Sequence, residues 1–170
     1  MMKKSIIIYM TGIIILSSQS LKVDPMIYEI IDNISADHIE EYVTQLVNFG
    51  TRHTLSDTLS STRGIGAARR WIKKEFEKIS KDCGGCLEVK EQWTLAKGNP
   101  KSRIKKDTWI VNIYAVKRGT KYPNRYVIMS GDIDSRISDP LDGKGDSPGA
   151  NDNATGMAGA LELARVLSKY

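Results

Sequence analysis

The chain has 170 residues, of which 26% are charged and 41% are hydrophobic, as in an ordinary globular protein of one domain or part of a larger one. The net charge of +5 is spread among acidic residues, and the lysine-rich helical stretch at residues 73–81 is interrupted by Glu75 and Glu77. This interleaving predicts a solvated helix face and argues against a surface that binds nucleic acid.

Residues 1–20 have the pattern of a secretory signal. Lys3 and Lys4 give a positive start, and residues 6–16 form an apolar stretch that is too short to span a bilayer comfortably. Ser18 and Ser20 supply the small residues of a cleavage site. We therefore expect an exported protein, periplasmic or extracellular, with residues 21–170 as the mature part and no stable membrane association after signal removal. An uncleaved membrane anchor is the alternative.

Helices are predicted over residues 25–34, 35–47 and 67–79. Ser35 fits the N-cap position of the second helix. In the second and third helices the apolar residues recur at helical spacing and should face a core. The chain has only two histidines, His38 and His53, and we interpret both as surface or internally hydrogen-bonded residues rather than metal ligands.

Cys83 and Cys86 are the only cysteines, and they lie between a predicted helix and a predicted strand with two glycines between them. In an exported chain, two nearby cysteines most often close a small disulfide loop. We therefore predict a disulfide between them. Free thiols and a redox site are the alternatives, whereas a zinc ribbon would need a second cysteine pair.

Three strands are predicted after the cysteines. Residues 87–95 and 108–116 alternate between apolar and polar side chains and should form a strand pair, and residues 126–129 form a short apolar run of buried-strand type. A long apolar run rich in alanine and leucine, residues 157–167, predicts a final helix. This order of elements predicts the opening of a three-layer α/β domain with a mixed sheet.

The densest carboxylates lie where the predicted strand at 126–129 leads into the last helix. Asp132 and Asp134 point to the same side of an extended chain because side chains alternate. Asp152 lies just before the helix. Carboxylates at a strand end and at a helix entry are a common way to hold a divalent cation. The alternative is that Asp132 and Asp134 end a strand and that Asp152 caps the helix.

Two motifs in this region resemble those of the co-catalytic zinc aminopeptidases, a family that includes bacterial leucyl aminopeptidases and glutamate carboxypeptidases. They are Gly-Asp-Ile-Asp-Ser-Arg at 131–136 and Gly-Ala-Asn-Asp-Asn-Ala-Thr-Gly at 149–156. The second motif has Thr155 where the family has serine. The first has Asp132 where the family usually has a histidine ligand. The loop that contains Arg52 also resembles the N-terminal region of this family.

The resemblance implies a site for two zinc ions in an α/β/α domain of the zinc exopeptidase type. Asp152 would bridge both ions, Asp132 would bind one, and Asp134 would orient the ligand at the strand end. A carboxylate in place of a histidine adds negative charge and favours harder metals such as manganese. In the family a Glu-Glu pair, a further Asp and a His follow the helix that here ends near Leu167. We therefore expect no general base within these residues.

The expected function is that of the N-terminal part of an exported metal-dependent aminopeptidase. Such an enzyme hydrolyses the N-terminal bonds of peptide substrates with metal-activated water, and we expect the truncated form to be inactive. The alternatives are a non-catalytic secreted module of the same fold and a relative that resembles glutaminyl cyclase.

Overall fold

The computed structural model describes residues 23–170, so the predicted signal over residues 1–20 lies outside the described part. Within it, α-helices and a two-stranded antiparallel sheet are combined. The elements in chain order are α1 (Pro25–Asp32), α2 (Ala36–Asn48), α3 (Gly64–Asp82), β1 (Leu87–Ala96), β2 (Thr108–Lys117) and α4 (Thr155–Leu167). A short π-type segment, Ala150–Ala154, leads into α4. None of the helices in residues 23–170 is long and apolar enough to cross a membrane.

The predicted N-cap of α2 is confirmed. The side chain of Ser35 accepts a hydrogen bond from the backbone N–H of His38, at 3.2 Å, which satisfies one of the free donors in the first turn. The backbone N–H of Ser35 in turn donates to Oε1 of Glu162 on α4, at 2.7 Å. The start of α2 is thereby fixed to α4.

One hydrophobic cluster joins α2, α3 and α4. Its buried members come from all three helices and from the segment that enters α4: Leu46, Ile72, Phe76, Ala154, Met157 and Leu161. The sheet packs against this cluster through Val89, Ile113 and Ala115. The predicted helical and strand periodicities therefore identify the core-facing sides of α2, α3 and the sheet correctly.

Cys83 and Cys86 form the predicted disulfide in the turn between α3 and β1. Gly84 and Gly85 have φ values of +73° and +88°, a region that glycine adopts without steric strain. The predicted strand pair is also confirmed: β1 and β2 run antiparallel, with Leu87 opposite Lys117 and Trp93 opposite Val111.

The strand predicted over residues 126–129 is not formed, and this prediction is wrong for the described part of the chain. The segment forms no backbone hydrogen bond with any other described segment. Tyr126, Val127 and Ile128 are 75%, 92% and 85% exposed. The physical reason is that a strand needs a neighbour to pair with, and β1 and β2 pair only with each other. Residues 23–170 thus combine α and β structure without the predicted three layers and mixed sheet.

Candidate metal centre

Arg52 connects the segments that carry the predicted metal ligands. Its side chain is buried, with 1% of the residue exposed. Nε donates to the carbonyl oxygen of Ile133 at 3.0 Å, and Nη2 donates to that of Gly149 at 2.9 Å. Nη1 donates to the carbonyl oxygens of Leu46 at 2.9 Å and Pro148 at 2.7 Å. One guanidinium group therefore joins the end of α2, the segment after residue 130 and the loop before α4; we call this arrangement the Arg52 junction.

Ser135 adds a second set of bonds to the Arg52 junction. Its hydroxyl oxygen accepts from the backbone N–H of Arg52 at 3.0 Å and donates to the carbonyl oxygen of Ser147 at 2.6 Å. The N–H of Ser147 donates to the carbonyl of Gly50 at 2.7 Å. Both Ser135 and Ser147 are buried. The two motifs identified in the sequence are therefore held together by hydrogen bonds that water does not reach.

Gly131 lets the chain pass close to the start of α4. A Cβ atom at this position would lie 2.3 Å from the carbonyl carbon of Gly156 and 2.4 Å from the nitrogen of Met157, which is closer than real contacts allow. The next residue is Asp132, so its backbone also lies beside the N-terminus of α4. Asp132 and Asp152 are consequently on neighbouring segments at one end of this helix.

Neither of these two carboxylates is engaged by the described part of the chain. Asp132 and Asp152 are exposed, and neither accepts a hydrogen bond from residues 23–170. The alternative that Asp152 caps α4 is not what the structure forms, because Oδ1 of Asn153 accepts from the N–H of Gly156 at 2.7 Å. The peptide bond between Asp152 and Asn153 is cis.

Asp134 is held differently. It is half-buried, and its Oδ2 accepts a hydrogen bond from the hydroxyl of Thr54 at 2.8 Å. Burial lowers the pKa of Arg52 and of Arg69, and the negative charge of Asp134 opposes that lowering in both. An oxygen fixed in this way suits a role in orienting a neighbouring group.

The two histidines have different surroundings. His53 is buried, and its Nδ1 accepts from the N–H of Leu55 at 3.0 Å. Its proton then lies on Nε2, which is 3.2 Å from the carbonyl oxygen of Pro140. Nδ1 of His38 lies 3.7 Å from Oε2 of Glu162 on α4. His53 is thus internally hydrogen-bonded, and that neither histidine binds a metal stays a prediction.

The donor set fits only part of a zinc site. Asp132 and Asp152 offer carboxylate oxygens, which zinc and manganese both accept. Within residues 23–170 there is no group of three or more His, Cys, Asp or Glu side chains arranged to hold one ion. A zinc site has three or four protein ligands. Residues 23–170 therefore do not form a complete metal site, and the ligand roles of Asp132 and Asp152 stay predictions.

Sequence reasoning missed the central role of Arg52, and it gave Ser135 no role at all. The available signal was that both lie in stretches that resemble the same family. Their function depends on carbonyl groups from distant parts of the chain, and spacing along the sequence does not reveal such groups.

Comparison with known proteins places the second motif in a family. Residues 112–170 match the family model described as peptidase family M28. This part of the chain is similar to peptidase family M28. The resemblance to co-catalytic zinc peptidases is thereby confirmed, and it applies to the N-terminal part of such a protein.

Three similar proteins each carry the name "Probable zinc metalloprotease". They come from Pyrenophora teres f. teres, Pyrenophora tritici-repentis and Leptosphaeria maculans. Each is 46% identical to this chain, over 147 residues for the two Pyrenophora proteins and over 143 residues for the Leptosphaeria protein. The aligned part covers 86%, 86% and 84% of this chain but 30%, 30% and 33% of the three relatives. The chain thus spans about a third of their length. No solved structure matches the chain.

Proposed function

We propose that this chain is the N-terminal part of a metal-dependent aminopeptidase of family M28, which hydrolyses the N-terminal bond of peptides. The observation that carries the proposal is the pair of exposed, unengaged carboxylates of Asp132 and Asp152 on segments that the Arg52 junction joins. The names of the relatives support zinc as the metal.

Asp152 is the residue that would hold the metal most strongly, as a bridge between two ions, and Asp132 would bind one of them. Asp134 would keep the strand-end ligand in orientation through its bond to Thr54. When bound, zinc supplies Lewis-acid activation of water and of the peptide carbonyl. Manganese is the alternative metal, because Asp132 replaces a neutral imidazole by an anionic oxygen.

The proposal also covers the fold and the location of the complete protein. The combination of helices and a sheet in residues 23–170 supports a larger three-layer α/β/α domain, as the family resemblance implies. The pattern of residues 1–20 supports export to the periplasm or the extracellular space. Peptides are the proposed partners, with no nucleic acid and no stable membrane association.

Metal binding tests the proposed centre directly. Isothermal titration of zinc into the 170-residue chain should give weak binding, since two carboxylates are an incomplete donor set. Asp152→Asn should reduce the affinity most, Asp132→Asn less and Asp134→Asn least. Asp37→Asn, the same change at an exposed position on α2, is the matched control and should leave zinc binding unchanged. If Asp152→Asn binds zinc as tightly as the parent chain, the assignment of this centre is wrong.

A chimera tests the aminopeptidase activity. Residues 23–170 would replace the matching segment of the Pyrenophora teres relative, and the product would be assayed with a panel of aminoacyl 4-nitroanilides in the presence of zinc. We expect hydrolysis by the chimera, its loss with Asp152→Asn, and no hydrolysis by the 170-residue chain alone. A folded chimera without activity, beside an active relative, would favour a non-catalytic module.

A further inference from the structure

A cleft of about 480 Å³ lies between the loop after His53, the first half of α3 and one face of the sheet. Thr54 lines this cleft and also bonds to Asp134, so the cleft lies next to the proposed metal centre without including its carboxylates. The residues that define its character are Arg69 and Arg70 on α3 and Trp93, Trp109 and Val111 on the sheet.

Arg69 is the buried charge of the cleft. Only 9% of the residue is exposed, and Nε is fully enclosed without a hydrogen-bond partner among residues 23–170. In that part of the chain, the arginines that form ion pairs are Arg63, Arg118 and Arg165. A buried cation without hydrogen bonds is costly, and Asp134, whose charge acts on Arg69, forms neither a hydrogen bond nor an ion pair with it, so the position favours an anion from outside these residues.

The other charged groups of the cleft already have partners. Glu91 lies 3.1 Å from Nζ of Lys73, and Asp107 lies 2.8 Å from Nζ of Lys97. Arg70 donates to the carbonyl oxygens of the loop at residues 58–60. Within the described residues, Arg69 is therefore the one charge lining the cleft that can receive an anionic ligand without breaking an existing bond.

Two tryptophans form an apolar wall near this charge. Trp93 and Trp109 pack edge to face, with ring centroids 6.2 Å apart and an interplanar angle of 73°. They are 58% and 52% exposed, which is unusual for such large apolar side chains. A ligand that combines a negative charge with an apolar group matches both features of the cleft.

We propose that this cleft binds a peptide carboxylate that lies next to an apolar or aromatic side chain. The carboxylate occupies the position beside Arg69, where charge-assisted hydrogen bonds form, and the apolar group packs on Trp93 and Trp109. The carboxylate is that of a C-terminus or of an acidic side chain, which share this chemistry. This binding needs no metal and does not depend on the proposed peptidase activity.

Tryptophan fluorescence of the full 170-residue chain tests the proposal, because two of the three tryptophans line the cleft. Metal is removed with a chelating resin rather than a soluble polycarboxylate, which would compete for Arg69. Three peptides are titrated: acetyl-Phe-Gly with a free C-terminus, acetyl-Phe-Asp-amide and the neutral acetyl-Phe-Gly-amide. We expect one or both carboxylate peptides to bind roughly tenfold or more tightly than the neutral peptide, and the tighter one identifies the source of the carboxylate.

Variants assign the preference to Arg69. Arg69→Gln should bind all three peptides equally weakly, whereas Lys74→Gln, an equal loss of charge at an exposed position of α3, should keep the preference. Circular dichroism checks that both variants are folded. If Arg69→Gln does not fold, the three-peptide comparison on the parent chain still tests whether the cleft prefers a carboxylate. Equal binding of charged and neutral peptides, a preference that survives in folded Arg69→Gln, or no saturable binding at all would each overturn the proposal.

Discussion

The surroundings of Arg52 and Arg69 show how differently one type of side chain can be used in one small structure. Both arginines are buried, burial lowers the pKa of both, and the charge of Asp134 opposes that lowering in each. Arg52 donates to four carbonyl oxygens, whereas Nε of Arg69 has no partner in residues 23–170. Arg52 therefore stabilises the fold, whereas Arg69 remains available to a ligand.

The difference in hydrogen bonding between Arg52 and Arg69 comes from the backbone that surrounds each side chain. Gly149 has a φ of +50°, and a Cβ there would lie 2.5 Å from the carbonyl oxygen of Asp152 and 3.1 Å from Nη2 of Arg52. Glycine lets the loop turn so that the carbonyls of Pro148 and Gly149 both point at the guanidinium. Within residues 23–170, no comparable turn brings carbonyl groups into hydrogen bonds with Arg69.

The largest predicted effect is that of Arg52→Met. This change removes the donor of the carbonyls of Leu46, Ile133 and Pro148, whereas that of Gly149 keeps its bond from the N–H of Ala154; buried groups left unsatisfied cost about 1–3 kcal/mol each before the structure relaxes. We expect the free energy of unfolding to fall by about 3–5 kcal/mol, at the upper end for single substitutions. Urea denaturation of the full chain measures it. A loss below about 1 kcal/mol would mean that the Arg52 junction contributes little.

A smaller effect is predicted for Glu162→Gln, which changes a buried charge that has partners. Arg165 Nη2 lies 2.6 Å from Oε1, and the N–H of Ser35 lies 2.7 Å from it. Losing the charge from these bonds should cost about 1–3 kcal/mol at neutral pH. Glu41→Gln, the same change at an exposed position of α2, is the control and should have almost no effect.

The stability difference between the parent and Glu162→Gln is predicted to depend on pH. Burial acts to raise the pKa of Glu162, but the hydrogen bonds from Arg165 and Ser35 outweigh it and hold the pKa below its ordinary value. Because the folded pKa is depressed, the stabilisation is complete above the unfolded pKa, about 4.3, and is lost as the pH falls through the folded value. Urea midpoints measured in acid should therefore converge for parent and Glu162→Gln. A gap that is constant down to the lowest pH would contradict this.

Arg69→Met is predicted to leave stability unchanged or to raise it by about 1 kcal/mol, because it replaces an unpaired buried cation by an apolar side chain. Arg52→Met and Arg69→Met measured in one urea series give the sharpest form of the comparison, because only Arg52→Met is expected to destabilise the protein. Destabilisation by Arg69→Met as large as that by Arg52→Met would show that Arg69 already has strong partners.

The smallest predicted effect on stability is that of removing an exposed ion pair. Nη2 of Arg63 lies 2.6 Å from Oδ1 of Asp146, and the two side chains are 43% and 79% exposed. Asp146→Asn should change the free energy of unfolding by no more than about 0.5 kcal/mol, since water and salt screen such pairs. The difference from the parent should vanish at high salt. A larger, salt-independent loss would mean that this loop depends on the pair.

The sequence by itself determined the features that depend on neighbouring residues. Periodic apolar side chains specified α2, α3 and the strand pair, the Ser35 hydroxyl specified where α2 begins, and the short spacing of Cys83 and Cys86 specified their disulfide. The motifs at 131–136 and 149–156 indicated the family to which residues 112–170 are similar. Each of these signals is carried by residues that lie close together in the sequence, where helix and strand geometry fixes which side chains share a face.

Only the tertiary structure decided what joins distant segments. The acceptors of Arg52 run from Leu46 to Gly149, so no local pattern could indicate that this arginine connects the two motifs. The lack of partners around Arg69 is likewise a property of packing. Residues 126–129 show that a local pattern can also predict an element that the structure does not form. Their apolar pattern favours a strand, but pairing requires a second strand at hydrogen-bonding distance, and side chains alone do not supply it.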